Sequence, residues 1–147
     1  MLTEKSLTYA LSIKQPWAAL VVQGLKTIEV RRWPTARRGR ILIHAARVPD
    51  KRPEALNHIT PEVRSLAQLQ GGIIGAVELT ECRPYHDLPT FLVDQALHYN
   101  ETSWFEPPVL YGFTFARPEV VPFRAYPGWF RFFKVEIPET AAAVVHE

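Results

Sequence analysis

The side chains best suited to chemistry crowd into the stretch 12–44, where lysine, arginine, glutamate and indole rings recur at short spacing. Lys14-Gln15-Pro16-Trp17 opens it, Lys26-Thr27-Ile28-Glu29-Val30-Arg31 follows, and Trp33 with Arg37-Arg38-Gly39 leads into Ile43-His44-Ala45. Cations beside flat rings are the usual materials for holding a nucleotide: the cation takes the phosphate and the ring stacks on the base. Glu29 adds a carboxylate able to accept from an exocyclic amine, as carboxylates do with the amino group of cytosine, while Arg31 or Lys14 neutralises it or meets a phosphate. Lys14 and Gln15 also stand at the mouth of a helix, where free backbone N–H groups would favour an anion.

Each of these residues has a structural reading as well. Trp17, on a short apolar helix, is as readily core as stacking platform, whereas Trp33, beside Arg31, Arg32 and Pro34, is read as lining a cleft. Glu29 and Arg31 stand at i and i+2 on one strand face, so an ordinary ion pair competes with a binding role. Lys26 is either a buried amine with a lowered pKa, and so a base, or a solvated lysine following a helix-stop glycine, the second being the commoner situation. His44 reads first as a satisfied interior histidine and second as a catalytic one. Glu78 lies in an apolar strand, where a carboxylate must be paired or protonated. The group Arg37-Arg38 and the group Arg47, Lys51 and Arg52 read as phosphate contacts in preference to plain charged loops. His58, His86, His98 and His146 make no metal spacing, and no cofactor or metal site is expected.

The elements that must position these groups follow from the apolar pattern. Leu7–Ile13 predicts a strand, and Pro16 with Trp17–Val22 a two-turn helix stopped by Gly24. Leu25–Arg31 predicts a strand placing Lys26, Ile28 and Val30 on one face and Thr27, Glu29 and Arg31 on the other. Arg40–Ala45 is a further strand. Thr60-Pro61-Glu62 has the composition of a helix start and leads into Val63, Leu66, Ala67 and Leu69. Ile73–Cys82 predicts a buried strand, Phe91–Leu97 a short helix, and Tyr111–Ala116 and Gly128–Ile137 two aromatic-rich strands. Short strands broken by brief helices and Pro-rich turns predict an α+β fold whose core is a small closed or nearly closed β-barrel with helices plugging its ends. Residues 139–147 are read as a tail, weakly ordered or docked.

The 147 residues, 47% of them hydrophobic and 22% charged, predict one globular domain spanning 1–147. A net charge of +2 conceals an asymmetry: residues 1–52 carry eleven Lys and Arg against three Asp and Glu, and residues 53–147 carry six against twelve. Such separation suggests a face that meets a polyanion, although two halves neutralising each other across a solvated surface would look the same. No apolar run reaches membrane-spanning length, Glu4, Lys5 and Ser6 interrupt what a signal peptide would need, and the lone Cys82 forms no internal disulfide. The chain is therefore expected in the cytoplasm.

The stretch from Ser12-Ile13-Lys14-Gln15-Pro16-Trp17-Ala18, through Gly24-x-Lys26-Thr27-Ile28-Glu29-x-Arg31 and Trp33-Pro34-Thr35, to Arg38-Gly39 and Ile43-His44-Ala45 closely resembles the ASCH domain, the activating-signal-cointegrator homology family. Gly72-x-x-Gly75-x-Val77-x-Leu79, and Gly112-Phe113-x-Phe115 to Pro122-Phe123, look like the family's later strands. The resemblance implies a PUA-like barrel and a cleft that accepts RNA or a modified base. That cleft would be built here from Lys14, Gln15, Trp17, Lys26, Glu29, Arg31, Trp33, Arg38 and His44. It also implies an enzymatic alternative, because one small bacterial relative is an amidohydrolase of acetylated cytidine, with a threonine nucleophile after a motif similar to Lys26-Thr27-Ile28. Glu29 occupies that position here and could activate water with Lys26 beside it, but it is no like-for-like nucleophile. RNA cleavage, with Lys26 or His44 as base, ranks below that. A third class is a protein-interaction adaptor using Trp104-Phe105 and Phe130–Phe133.

Overall fold

The computed structural model describes residues 6–137, so the expectation for the 139–147 tail lies outside the described residues. Strand β1 (Ser6–Ile13) runs into helix α1 (Trp17–Val22), then β2 (Ile28–Arg31) and β3 (Gly39–Ala45). Two one-turn helices, α2 (Pro53–Leu56) and α3 (Arg64–Ala67), lead to β4 (Gly72–Tyr85). Helices α4 (Leu88–Val93) and α5 (Gln95–His98) and a single 3-10 turn at Thr102–Trp104 precede β5 (Leu110–Ala125) and β6 (Phe132–Ile137).

The six strands form one sheet in the order β2-β5-β4-β3-β1-β6, antiparallel except where β1 runs parallel to β3. That is a mixed half-barrel with short helices, an α+β fold as expected, but the barrel is open: β2 and β6 are edges, and the described residues show no ladder between them. Side chains bridge the seam instead. Trp33, just beyond β2, packs its ring edge-on to Phe132 of β6 at 5.6 Å and to Phe113 of β5 at 5.1 Å. The Arg31 guanidinium donates to the Ser12 carbonyl at 2.8 Å.

All six residues of α1 are buried, which a surface helix with one apolar stripe would not show. Six residues are too few to hold a helix alone, so packing inside the curved sheet supplies its stability. Its seat depends on Gly75 of β4, where a Cβ would lie 2.4 Å from both Val22 Cγ1 and the Glu119 carbonyl. Around α1 the core gathers Leu11, Ile41, Ile43, Ile74, Val77, Leu79 and Phe113.

Several elements depart from the sequence-based expectations. Strand β2 starts three residues late, because the Leu25 and Lys26 amides both bond the Leu20 carbonyl and continue the turn out of α1. The expected alternation therefore does not reach Lys26. The helix expected from Thr60 shrinks to Arg64–Ala67; the Val63 amide closes a turn onto the Thr60 carbonyl, and the Thr60 hydroxyl bonds Glu62 rather than capping. The Phe91–Leu97 helix is two helices, the first begun by Asp87, whose carboxylate accepts from the Thr90 amide at 2.9 Å. Strand β5 continues well past Ala116, through Pro118 and Pro122. Three register shifts against β4 leave both prolines at unpaired positions, where the missing N–H costs no ladder bond. Conversely, β6 begins at Phe132 rather than Gly128, since Arg131 takes a left-handed φ of 58°.

Candidate functional site

One large cavity, about 780 Å³, opens beside the end of β1 and is lined by groups from every part of the basic segment. Strand β1 delivers Ser12, with Lys14 just beyond its end, β2 delivers Glu29, Val30 and Arg31, and the end of β3 delivers His44, with Arg47 following. Trp17, Lys26, Trp33, Asp50, Arg52 and Trp104 complete the wall on one side, and Gly128–Arg131 on the other.

Lys26 is almost fully buried, with 2% of its side chain exposed. Its ammonium donates to the Ile28 carbonyl at 2.6 Å and the His98 carbonyl at 2.7 Å, and stands 3.4 Å from Glu29 Oε1. Burial pushes its pKa below the usual lysine range, with the Glu29 carboxylate pulling the other way. The solvated reading of Lys26 is thus overturned, because the turn after α1 aims the side chain inward. Glu29 Oε2 is held by Arg31, whose Nε donates at 3.0 Å and whose Nη2 lies at 2.9 Å. Lys26, Glu29 and Arg31 therefore form one cation–anion–cation row with a formal excess of +1, and Glu29 remains part-exposed at the cavity surface.

The parallel register pairs Ser12 with His44, and Ser12 Oγ lies 2.9 Å from His44 Nδ1. His44 Nε2 lies 2.7 Å from the Tyr126 carbonyl. A carbonyl only accepts, so Nε2 carries the proton and Nδ1 accepts from the serine hydroxyl. Burial pushes the His44 pKa down, against the contrary pull of that carbonyl. His44 is thus a satisfied interior histidine whose edge also forms cavity wall.

Trp17 is both core and wall, at 9% exposure; its Nε1 donates to Asp50 Oδ2 at 2.9 Å, and Trp104 meets it edge-on at 6.2 Å. Arg52 clamps Asp50 at 2.6 Å and lays its guanidinium over Trp104 at 3.6 Å. Trp33 lines the cavity as expected, with Arg131 over its ring at 5.0 Å. Lys14, Arg47 and Arg131 line the same cavity, and none of the three makes an ion pair among the described residues.

Two expected site residues lie outside the cavity lining. Gln15 is 1% exposed and spends its amide inside the fold, donating to the Leu66 and Leu69 carbonyls and accepting from the Ala19 amide. The first turn of α1 is satisfied by this side chain and by the Lys14 and Pro16 carbonyls, so the open helix mouth expected for an anion is not there. Arg38 is exposed and folds onto the Thr35 and Arg37 carbonyls. Neighbouring Arg37 stacks on Tyr9 at 3.5 Å. Glu78 is paired with Arg117 at the surface, away from the cavity.

The sequence reading missed Ser12, Asp50, Asn100, Trp129 and Arg131 as cavity residues. The one usable signal was Gly128-Trp129-Phe130-Arg131, two aromatics and a cation beside a turn former, which was absorbed into a strand. Among the described residues no group of three or more His, Cys, Asp or Glu is placed to hold a metal, and no helix is long and apolar enough to cross a membrane.

An open six-stranded half-barrel plugged by a buried two-turn helix, with a basic, aromatic-walled cavity at one end, defines a PUA-like fold. The family model of the ASCH domain matches residues 11–139, and the chain belongs to that family. The family is generally associated with RNA binding. Activating signal cointegrator 1 from Homo sapiens and from Mus musculus are each 34% identical over 83 residues; that segment is 50% of this chain but only 14% of those proteins. Solved structures of ASCH from Zymomonas mobilis share the fold, with a TM-score of 0.60 for the parent protein, which covers 94% of each chain at 17% identity. A point variant of it gives 0.62, covering 94% of this chain and 96% of that one, also at 17% identity.

Proposed function

We propose that this chain binds single-stranded RNA or a modified nucleotide through the cavity, in the cytoplasm and without a cofactor. The observation that carries the reading is the division of charge. Six cations and two carboxylates line the cavity, a formal +4 in a chain whose total is +2. Three of those cations, Lys14, Arg47 and Arg131, have no carboxylate partner among the described residues, so they meet an anion without first breaking a pair. Trp17 and Trp33 offer ring surface between them, and the part-exposed Glu29 offers an acceptor to a base amine.

Fluorescence anisotropy with a labelled single-stranded RNA at two salt concentrations tests this. Three cations each neutralising a phosphate predict a slope of roughly −2 in log affinity against log salt, since each contact contributes about −0.7 on a single strand. Between 50 and 200 mM salt, binding should weaken about twentyfold. Replacing Lys14, Arg47 and Arg131 together by alanine should flatten that dependence. Absence of binding at 50 mM, or a slope the triple variant leaves intact, overturns the proposal.

Hydrolysis of an acylated cytidine is a second reading, resting on the lowered pKa of Lys26 and its 3.4 Å approach to Glu29. Release of free cytidine that depends on Lys26 and Glu29 would support it.

A further inference from the structure

The segment between β5 and β6 carries a feature that binding in the cavity does not use. Trp129 and Phe130 stack on each other with ring centroids 5.3 Å apart and planes within 23°, yet 66% of the tryptophan and 76% of the phenylalanine are exposed. These are the two most exposed aromatic side chains among the described large hydrophobics, and both stand on the cavity lining. Two large rings held in water cost free energy that folding alone does not recover, so a ligand surface is the physical reason to present them.

The segment is held in place rather than trailing. The His44 Nε2–H donates to the Tyr126 carbonyl, the Tyr126 amide donates to the Gly71 carbonyl at 3.1 Å, and Gly128 lies so close over the imidazole that a Cβ there would come within 2.6 Å of His44 Cε1. The next residue after the aromatic pair, Arg131, turns back through its left-handed φ to cover Trp33. The exposed pair, the free guanidinium and the ring inside the cavity therefore follow one another along a continuous surface.

Resting on the reading of the cavity as a nucleotide site, we infer that Trp129 and Phe130 form a second base platform, taking the unpaired base adjacent to the nucleotide held in the cavity, with Arg131 on the phosphate between the two. The partner is thus a single strand of at least two nucleotides. Flat exposed rings beside unpaired cations match a single strand, which offers both a π-face and a phosphate at every residue. A duplex keeps its bases stacked on each other and unavailable to side chains. The positive charge at the rim matches the phosphate chain that comes with every base. The cavity volume, in the upper part of the roughly 300–1,000 Å³ range of ligand pockets, suits a first nucleotide with its neighbour crossing the rim.

The test compares nucleoside 5′-monophosphates, the corresponding dinucleotides and a six-nucleotide single strand by calorimetry, for the wild-type chain, for Trp129→Ala with Phe130→Ala, and for Gly128→Ala. Stacking one further base predicts a roughly five- to hundredfold gain in affinity from monophosphate to dinucleotide in the wild-type chain. The double variant should lose that gain, its dinucleotide affinity falling to its own monophosphate affinity, and because both side chains are exposed its melting temperature should hold. Gly128→Ala, which forces the segment off His44, should also reduce the gain. A dinucleotide gain that survives the double variant overturns the inference, as does wild-type affinity that is the same for monophosphate and dinucleotide; in both cases the cavity reading stands. If the wild-type chain binds none of the three ligands, the cavity reading fails, and this inference with it. A wild-type dimer that the double variant dissociates, without any dinucleotide gain, assigns the patch to self-association and overturns the inference.

Discussion

Replacing Lys26 by methionine separates a structural tie from a merely tolerated charge. The ammonium holds three groups from two elements: the Ile28 carbonyl and the cavity-facing Glu29 carboxylate of β2, and the His98 carbonyl at the end of α5. Methionine fills much the same volume but leaves two buried carbonyls without their donor and Glu29 with Arg31 alone. Each orphaned acceptor costs about 1–3 kcal/mol, and the relief of ammonium desolvation works in the opposite direction. Removing one partner from a buried pair, with the others left in place, costs about 3–5 kcal/mol in total. That is a fifth or more of the roughly 5–15 kcal/mol that holds a typical domain folded. Urea unfolding followed by tryptophan fluorescence should show the midpoint falling with the slope unchanged. The double variant Lys26→Met with Glu29→Gln should lose less than the sum of the single variants, with a coupling of roughly 0.5–3 kcal/mol. A loss below about 1 kcal/mol for Lys26→Met, or strict additivity in the cycle, would refute the claim that this ammonium organises the cavity floor.

Three further outcomes follow from the same geometry. His44 and His98 both have pKa values pushed down from 6.5 by burial, so the unfolded chain binds protons that the folded chain refuses. Stability should be fully present above about pH 6.5 and fall as pH drops from there toward the lower folded values, with His44→Gln removing part of the dependence in urea melts at pH 7.5 and 5. Asp50, held down to about 2 chiefly by Arg52, with burial opposing and Trp17 assisting, should contribute on the order of 2 kcal/mol above pH 4. That contribution disappears between about pH 4 and 2, and Asp50→Asn should abolish this acid step in the same melts. Incubation with an acylated cytidine followed by chromatography tests the second reading: free cytidine should appear in a Glu29-dependent way, lost in Glu29→Gln, and substrate returned unchanged rules that reading out.

How far the sequence was legible depends on the range of the interactions involved. Strands β1, β3 and the apolar helix α1 were legible from local pattern, because each is bounded by its own punctuation: Pro16, Gly24 and Gly39. The true length of β5 was not, since its extension through Pro118 and Pro122 depends on pairing with β4, some forty residues away. The Lys26–Glu29–Arg31 row was visible as residue types, but alternation put Lys26 on the wrong side of the strand; only the Leu20 carbonyl, capturing two successive amides, turns it inward. Gln15 looked like a ligand group because its neighbours are cavity residues. Its real partners, the Leu66 and Leu69 carbonyls, lie more than fifty residues downstream. Trp129 and Arg131 are hidden in the opposite way: the local aromatic run reads as strand, and a left-handed residue breaks it.

The charge asymmetry along the chain resolves into three populations with different consequences. Part of the basic first third does neutralise the acidic remainder, through Arg32 with Glu106 and Arg40 with Glu119, and both pairs are exposed and so add little to stability. Another part is committed in the row around Glu29, where desolvation was met during folding and salt has little access, and in the clamp that the half-exposed Arg52 places on the buried Asp50 carboxylate. A third part, Lys14 and Arg47, joined at the cavity by Arg131 from the later chain, has no carboxylate partner among the described residues and can exchange counterions for a phosphate chain. On the proposed reading, affinity and selectivity would therefore reside on different residues: the rim cations would set how tightly a single strand is held and how steeply salt releases it, while the Glu29 row, fixed by buried carbonyls, would select among bases through hydrogen-bond geometry that salt barely alters.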